Sequence, residues 1–254
     1  MSQSKFDSTA GRHISKIETL WPPLREAQTG ESEEARRAAQ QLILDRYRPA
    51  IYRYLRACLD AEGADEVLQE FQLRFVQGGF RNADPEKGRF RDLLKCALYH
   101  LIVDYHKKRQ RQLPQVSPDA PEPAASHEST LDSDRQFLSQ WRQALLAKAW
   151  EALAEEERKT GRLLHTVLHF RAANPEMRSA QMAVELSAKL GKSLSADWIR
   201  KWLHAAREKF AEFLLAEVAS SLRDASIDAL EQELIDLELY QYCKSALDEW
   251  RGEA

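Results

Sequence analysis

The chain has 254 residues, 43% of them hydrophobic and 30% charged, with a formal net charge of −3. That length fits one or two domains with a buried core, and no apolar run approaches the roughly 20 residues of a membrane span. Cys58, Cys96 and Cys243 are odd in number and far apart, which excludes a disulfide framework and a zinc spacing and leaves reduced thiols. The polar stretch Met1–Ser15 has no apolar signal core, so a cytoplasmic location without membrane insertion is expected.

The periodicity is helical almost throughout, and the expected fold class is all-α: two helical domains joined by a Pro-rich linker, the second holding a helix-turn-helix. Leu42, Ile43, Tyr47, Ile51, Leu55 and Leu59 recur at three- and four-residue steps, with Pro49 kinking that helix or dividing it in two. A second helix is expected over Ala64–Val76, with Val67, Leu68, Phe71 and Phe75 on one face, stopped by Gly78-Gly79. After the loop Phe80–Gly88, a third spans about Arg89–Arg111. Residues 112–136 hold Pro114, Pro118, Pro121 and Pro123 among Ser, Ala, Asp and Glu, a composition that buries too little apolar surface to order itself. Helices resume over about Asp134–Arg158, Gly161–Ala173, Ser179–Leu190 and Ser195–Leu222, with one last helix over Ile227–Trp250. The resulting division is a flexible 1–16, a first domain at 17–112, a linker at 113–136, a second domain at 137–222 and an acidic helical extension at 223–254.

Charge is distributed unevenly. Lys87–Arg111 carries eight basic residues against Asp92 and Asp104, whereas Arg223–Ala254 carries nine acids against three bases. The segment Ser179–Phe210 reads as two helices about a turn, with Gly191 suited to a left-handed C-cap and Ser195 to an N-cap. Its second helix sets Ile199, Trp202, Leu203, Ala206 and Phe210 on one face and Arg200, Lys201, His204, Arg207 and Lys209 on the other. A recognition helix needs such a split, although many helical hairpins share it and Trp198 and Trp202 are more often core than base contacts.

The run ADEVLQEFQLRFVQGGF (64–80) resembles region two of the extracytoplasmic-function class of sigma-70-family RNA polymerase sigma factors. DPEKGRFRDLLKCALYHLIVDYHKKRQR resembles that family's −10-capturing loop and helix, and IRKWLHAAREKFAEFLL its −35 helix in region four; the resemblance covers about residues 17–112 and 140–222. It implies core RNA polymerase and promoter DNA as partners, with the largest-subunit clamp helices and the β flap as docking points and an anti-sigma factor as a possible regulator. Polymerase docking would fall to Asp65, Glu66, Val67, Gln69, Glu70 and Phe71. The −10 side would use Phe80, Arg81, Asn82, Arg89, Arg91, Tyr99, His106, Lys107, Lys108, Arg109 and Arg111, with the cations along phosphates and the rings and amide beside unpaired bases. The −35 side would use Ser195, Asp197, Trp198, Arg200, Lys201, His204, Arg207 and Lys209. Where many relatives have Leu-His-Arg-Ala-Arg, this chain has Leu203-His204-Ala205-Ala206-Arg207, so one arginine contact is lost.

The alternative from the hairpin alone is a promoter-binding regulator that does not join polymerase; a helical protein adaptor is a third. His165 and His169 lie four apart without a zinc-protease glutamate or a third ligand, and no P-loop, Rossmann or Ser/His/Asp pattern occurs. Neither a metal, nor a cofactor, nor catalysis by this chain alone is expected.

Overall fold

A computed structural model of the chain describes residues 21–84, 89–112, 127–222 and 226–252, the side chains of 112 and 127–133 excepted. The described residues form ten helices and no strand, the all-α class expected. They divide into two compact units, one holding 21–144 and 220–222, the other 145–219 and 226–252.

The first unit opens with α1 (Trp21–Thr29), which the periodicity does not mark. Pro22 and Pro23 sit in its first turn, where N–H groups lack helical partners anyway. Trp21, Leu24 and Ala27 are buried, and α1 packs on α2 (Glu33–Cys58). Ser32 caps α2 by accepting from the Ala35 N–H at 3.3 Å, and Pro49 lies inside this one helix rather than between two. The third helix, α3 (Ala61–Val76), starts ahead of the expected Ala64 because Asp60 caps it, its carboxylate accepting from the Gly63 N–H at 2.8 Å. Gly63 also admits α4 (Phe90–Gln112): a Cβ there would lie 2.6 Å from the Tyr105 hydroxyl.

Two buried glutamines fix the end of α3. Gln40 Nε2 donates to the carbonyls of Ala27 at 2.9 Å and Val76 at 3.2 Å. Gln28 Nε2 donates to the Phe75 carbonyl at 3.0 Å, while its oxygen accepts from the Phe80 N–H at 3.1 Å. The carbonyls of Ala27, Phe75 and Val76, at or near helix ends, thereby gain side-chain donors, and the loop after α3 is pinned at Phe80.

The fifth helix, α5 (His127–Thr160), departs from expectation in two ways. Residues 127–136, assigned from the sequence to the linker, are helical; 113–126 lie outside the described residues. The prolines end at Pro123, so nothing in 127–136 opposes a helix. In addition, the division between units falls within α5, after residue 144, instead of before Phe137. Phe137 and Trp141 are 4% and 2% exposed and belong to the first unit, where Trp141 stacks on Tyr47 with ring centroids 5.0 Å apart.

In the second unit, α6 (Leu164–Ala173), α7 (Ser179–Leu190) and α8 (Ala196–Ser220) follow the rest of α5. Their core unites Leu153, Leu164, Val167, Met182, Leu186, Ile199, Leu203 and Ala206. The expected last helix is two, α9 (Ile227–Asp236) and α10 (Tyr240–Gly252), with Glu238 at φ 56° between them. Leu237 and Leu239 are each 1% exposed. Residues two apart on a helix point about 200° from each other, so a continuous helix would expose one of them. Residues 226–252 thus form part of the second unit, burying Leu230, Leu234, Cys243 and Leu247.

Candidate partner and nucleic-acid interfaces

In the first unit α3 and α4 pack together, and their outer edges bound an open groove of about 410 Å³. Its floor holds Val67, Leu73, Leu101 and Tyr105; its rim holds Glu66, Gln69, Glu70, Arg74, Asp104 and Lys108. Leu73 is 51% exposed, an apolar residue on the polar side of an amphipathic helix. Ion pairs line the groove: Lys108 donates across it to Glu66 at 2.6 Å, and Arg74 reaches across it to Asp104 at 3.5 Å and along α3 to Glu70 at 2.6 Å. Further along α4, Arg109 donates to Asp60 at 3.2 Å and to the Tyr105 hydroxyl at 2.7 Å. The Gly63 N–H, and then Arg109, hold the Asp60 carboxyl below the usual carboxylate range. Glu66 raises the pKa of the Lys108 ammonium, and Asp60 followed by Tyr105 raises that of the Arg109 guanidinium.

The expected docking residues separate into two groups. Asp65, Glu66 and Gln69 are exposed and Glu70 is half-buried. Val67 and Phe71, each 2% exposed, are core residues and do not project as anchors; Val67 only floors the groove. The exposed apolar group lining the groove is Leu73, with Val76 equally exposed one turn on; a search for apolar periodicity passes over Leu73 because it breaks the period.

A second cavity, about 470 Å³, opens where the loop after α3 meets α4. Phe71, Phe80, Leu93, Ala97 and Leu101 make it apolar, while Arg74, Asn82, Cys96 and His100 bring polar atoms to it. The Phe80 ring is half-buried and packs on Phe71 and Phe75, with centroids 5.7 and 5.5 Å apart. Phe80 and Asn82 line one concavity together with Cys96 and His100, which are absent from the sequence-based candidates. The signal was present: Leu93, Cys96, Ala97 and His100 share one helical face by spacing.

The other −10 candidates scatter. Tyr99 is 38% exposed and does not line the cavity; its ring packs against His100. Arg81 is exposed and Arg89 half-buried. Arg91 is 6% exposed, so it cannot meet a phosphate as expected; it sits at the first turn of α4 on the face that buries Phe90 and Leu94. His106, Lys107, Lys108, Arg109 and Arg111 form an exposed run. Within it Lys108 and Arg109 are ion-paired, while Lys107 and Arg111 pair with no described residue.

In the second unit, Gly191 ends α7 in the left-handed conformation at φ 63°. Ser187 accepts from the Leu194 N–H at 2.9 Å, and Ser195 caps α8 by accepting from the Trp198 N–H at 3.1 Å. Ile199 and Leu203 anchor α8 in the core, leaving Asp197, Arg200, Lys201, His204 and Arg207 exposed along it. Carboxylates temper this basic stripe: Arg200 pairs with Asp197, His204 with Glu208 at 3.2 Å, and Lys209 with Glu212 at 2.6 Å. Trp198 and Trp202 pack on the core with rings 5.2 Å apart, so Trp198 contributes to the scaffold. His165 and His169 both meet the edge of Trp150, at 5.7 and 5.8 Å, which accounts for them as packing residues. Among the described residues no group of three metal-ligating side chains converges, and no helix is long and apolar enough to cross a membrane. No protein-family model, curated protein or solved structure matches the chain.

Proposed function

We propose that the chain is a sigma factor that joins core RNA polymerase and directs promoter-specific initiation. The observation that carries this reading is the neighbourhood of two surfaces in the first unit: an acidic and apolar groove on α3 and α4, and a loop-side cavity with a cationic run on the same α4. A protein-only adaptor has no use for Lys107 and Arg111, and a regulator that ignores polymerase has no use for Glu66, Glu70 and Leu73.

In this reading, basic and apolar groups of the polymerase clamp fill the groove, charge steering the encounter and Leu73 giving the apolar contact. Lys107 and Arg111 follow phosphates, supplying affinity that falls with salt. One unpaired base of the −10 element enters the cavity, stacking near Phe80 and bonding to Asn82 or His100. The helix-turn-helix formed by α7 and α8 sets Arg200, Lys201, His204 and Arg207 at the −35 major groove. Purified chain added to core polymerase tests this: formation of a complex and run-off transcripts from a promoter selected by the chain are expected. Binding to duplex DNA without core, and without run-off, would instead favour the regulator.

A further inference from the structure

The outward face of α2 carries charge that the fold does not use. Ile43, Tyr47, Ala50, Ile51, Tyr54 and Leu55 turn into the core. Opposite them Arg48, Tyr52 and Arg56 follow one another at four-residue steps, with Arg53 three residues before Arg56. The three arginines are exposed and Tyr52 is half-buried. Arg48 and Arg53 pair with no described residue, and Arg56 donates to the Leu59 carbonyl at 3.3 Å. Asp45, the carboxylate one turn before Arg48, already accepts from the Gln41 amide at 2.8 Å. At the start of the same helix, by contrast, Arg36 and Arg37 both pair with Glu33. A helix C-terminus favours cations within its last turn, which accounts for Arg56 but not for Arg48 or Arg53, farther from the end at Cys58.

This strip runs on to α4. Asp60, just past the end of α2, accepts from Arg109 at 3.2 Å. Its carboxyl is held low first by the Gly63 N–H and then by Arg109, with Arg56 a further positive neighbour. Arg56 and Arg109 thus flank one carboxylate, and the α2 arginines continue the cationic run at Lys107–Arg111. That end of α4 is remote from the loop-side cavity: Leu93 and Leu101 line the cavity, and Arg109 lies about 24 and 12 Å along the helix from them. At ~3.4 Å per base pair this is roughly four to seven pairs from a captured base, a distance at which the strand has room to rejoin its complement.

The chemistry of the strip selects its occupant. A protein partner needs an apolar anchor at the centre of its contact, and Leu42, the exposed large apolar residue of α2, lies more than a turn before Arg48. A nucleic-acid backbone needs only cations and hydrogen-bond donors, which three guanidiniums and a phenol supply. Resting on the sigma-factor reading above, we infer that Arg48, Arg53 and Arg56, with the Tyr52 hydroxyl, form a second phosphate track, which holds the backbone of duplex DNA adjoining the −10 element. The track carries the cationic run of α4 onto α2 and adds affinity without sequence choice.

Arg48→Ala combined with Arg53→Ala in the full chain tests this, since neither side chain bonds within the fold; Arg36→Ala with Arg37→Ala on the same helix is the control. The affinity of the chain–core complex for a promoter fragment is measured as salt varies, together with core binding and the unfolding midpoint. The first pair should lower the slope of log affinity against log salt by about two and weaken promoter binding about tenfold or more near 0.1 M salt, with core binding and midpoint unmoved. The control should leave the slope unchanged, as should the first pair on a single-stranded −10 oligonucleotide. An unchanged duplex slope overturns the track, and weakened core binding beside that unchanged slope gives the face to a protein. A fall in slope on the single strand alone overturns the assignment to duplex. If the parent complex selects no promoter, the sigma reading fails by itself, and slopes for the free chain on a random duplex decide the track: a fall of about two keeps it, and no fall or no binding overturns it.

Discussion

Lys108 Nζ donates to Glu66 Oε1 at 2.6 Å, tying a cation of the basic run on α4 to a carboxylate of the acidic face of α3. Both side chains are about half exposed, so the pair adds little to stability, yet it joins the two surfaces that the proposed function keeps for different partners. Replacing Glu66 by Gln should leave the unfolding midpoint nearly unmoved, weaken core-polymerase binding and strengthen nonspecific binding of the free chain to DNA. Titrations with core and with DNA check the opposing signs; a change in the same direction in both would contradict the assignment of Glu66 to the partner face.

Phe71 and Phe80 should behave differently on truncation. Phe71→Ala empties a buried site in contact with Phe75 and Phe80, and its cost should be about 3–5 kcal/mol, read by denaturant unfolding. Phe80→Ala should cost clearly less, because the ring is half-buried, and should instead impair capture of the single strand, read by binding to a fluorescent −10 oligonucleotide in the presence of core.

Lys107 and Arg111 carry the free charge of the basic run. Each replaced by Ala should reduce the slope of log affinity against log salt by about one, with no change in sequence preference. Arg91→Ala should leave that slope unchanged, since this arginine is buried.

Gly191 holds φ 63°, and no atom lies within 4 Å of the point a Cβ would occupy, so an added methyl is strained by conformation and not by contact. Gly191→Ala should destabilise the second unit by about 1 kcal/mol, seen in its unfolding midpoint, while the affinity of the folded protein for −35 duplex stays close to that of the parent.

The three thiols should react in the order of their exposure: Cys96 first, Cys58 next and Cys243 last, as followed by mass spectrometry of iodoacetamide labelling. Burial pushes the Cys243 thiol up to about 12 from an ordinary 9.0. The folded state therefore keeps its proton where the unfolded chain loses it, and this contribution to stability, present below pH 9, declines as pH rises from about 9 towards 12. Cys243→Ala should flatten the alkaline fall in stability over that window.

Helix positions were largely legible in the sequence because the elements are long and their apolar spacing regular; α7 lies where the periodicity and Gly191 set it. The misses have local causes. The nine-residue α1 is opened by two prolines that read as a break when met without Gln28 and Gln40, the side chains that tie it to α3. The split between α9 and α10 depends on burying both Leu237 and Leu239, which is a matter of tertiary packing. The placement of Phe137 and Trp141 was hidden for a similar reason: periodicity gives the buried face of α5 and not the helix it packs against. At the candidate site, exposed polar groups such as Glu66 and Lys107 were legible by charge, whereas Val67, Phe71 and Arg91 needed the burial that only the packed structure supplies.

The central claim is tested most directly by single-round run-off transcription with purified core polymerase, the full chain and a library of promoter fragments. The account predicts that core alone is silent, that the chain starts transcripts at a defined position downstream of a shared pair of elements, and that Glu66→Gln with Leu73→Ala lowers initiation by weakening the complex. A chain that leaves core silent on every fragment while binding duplex DNA through α8 would contradict it.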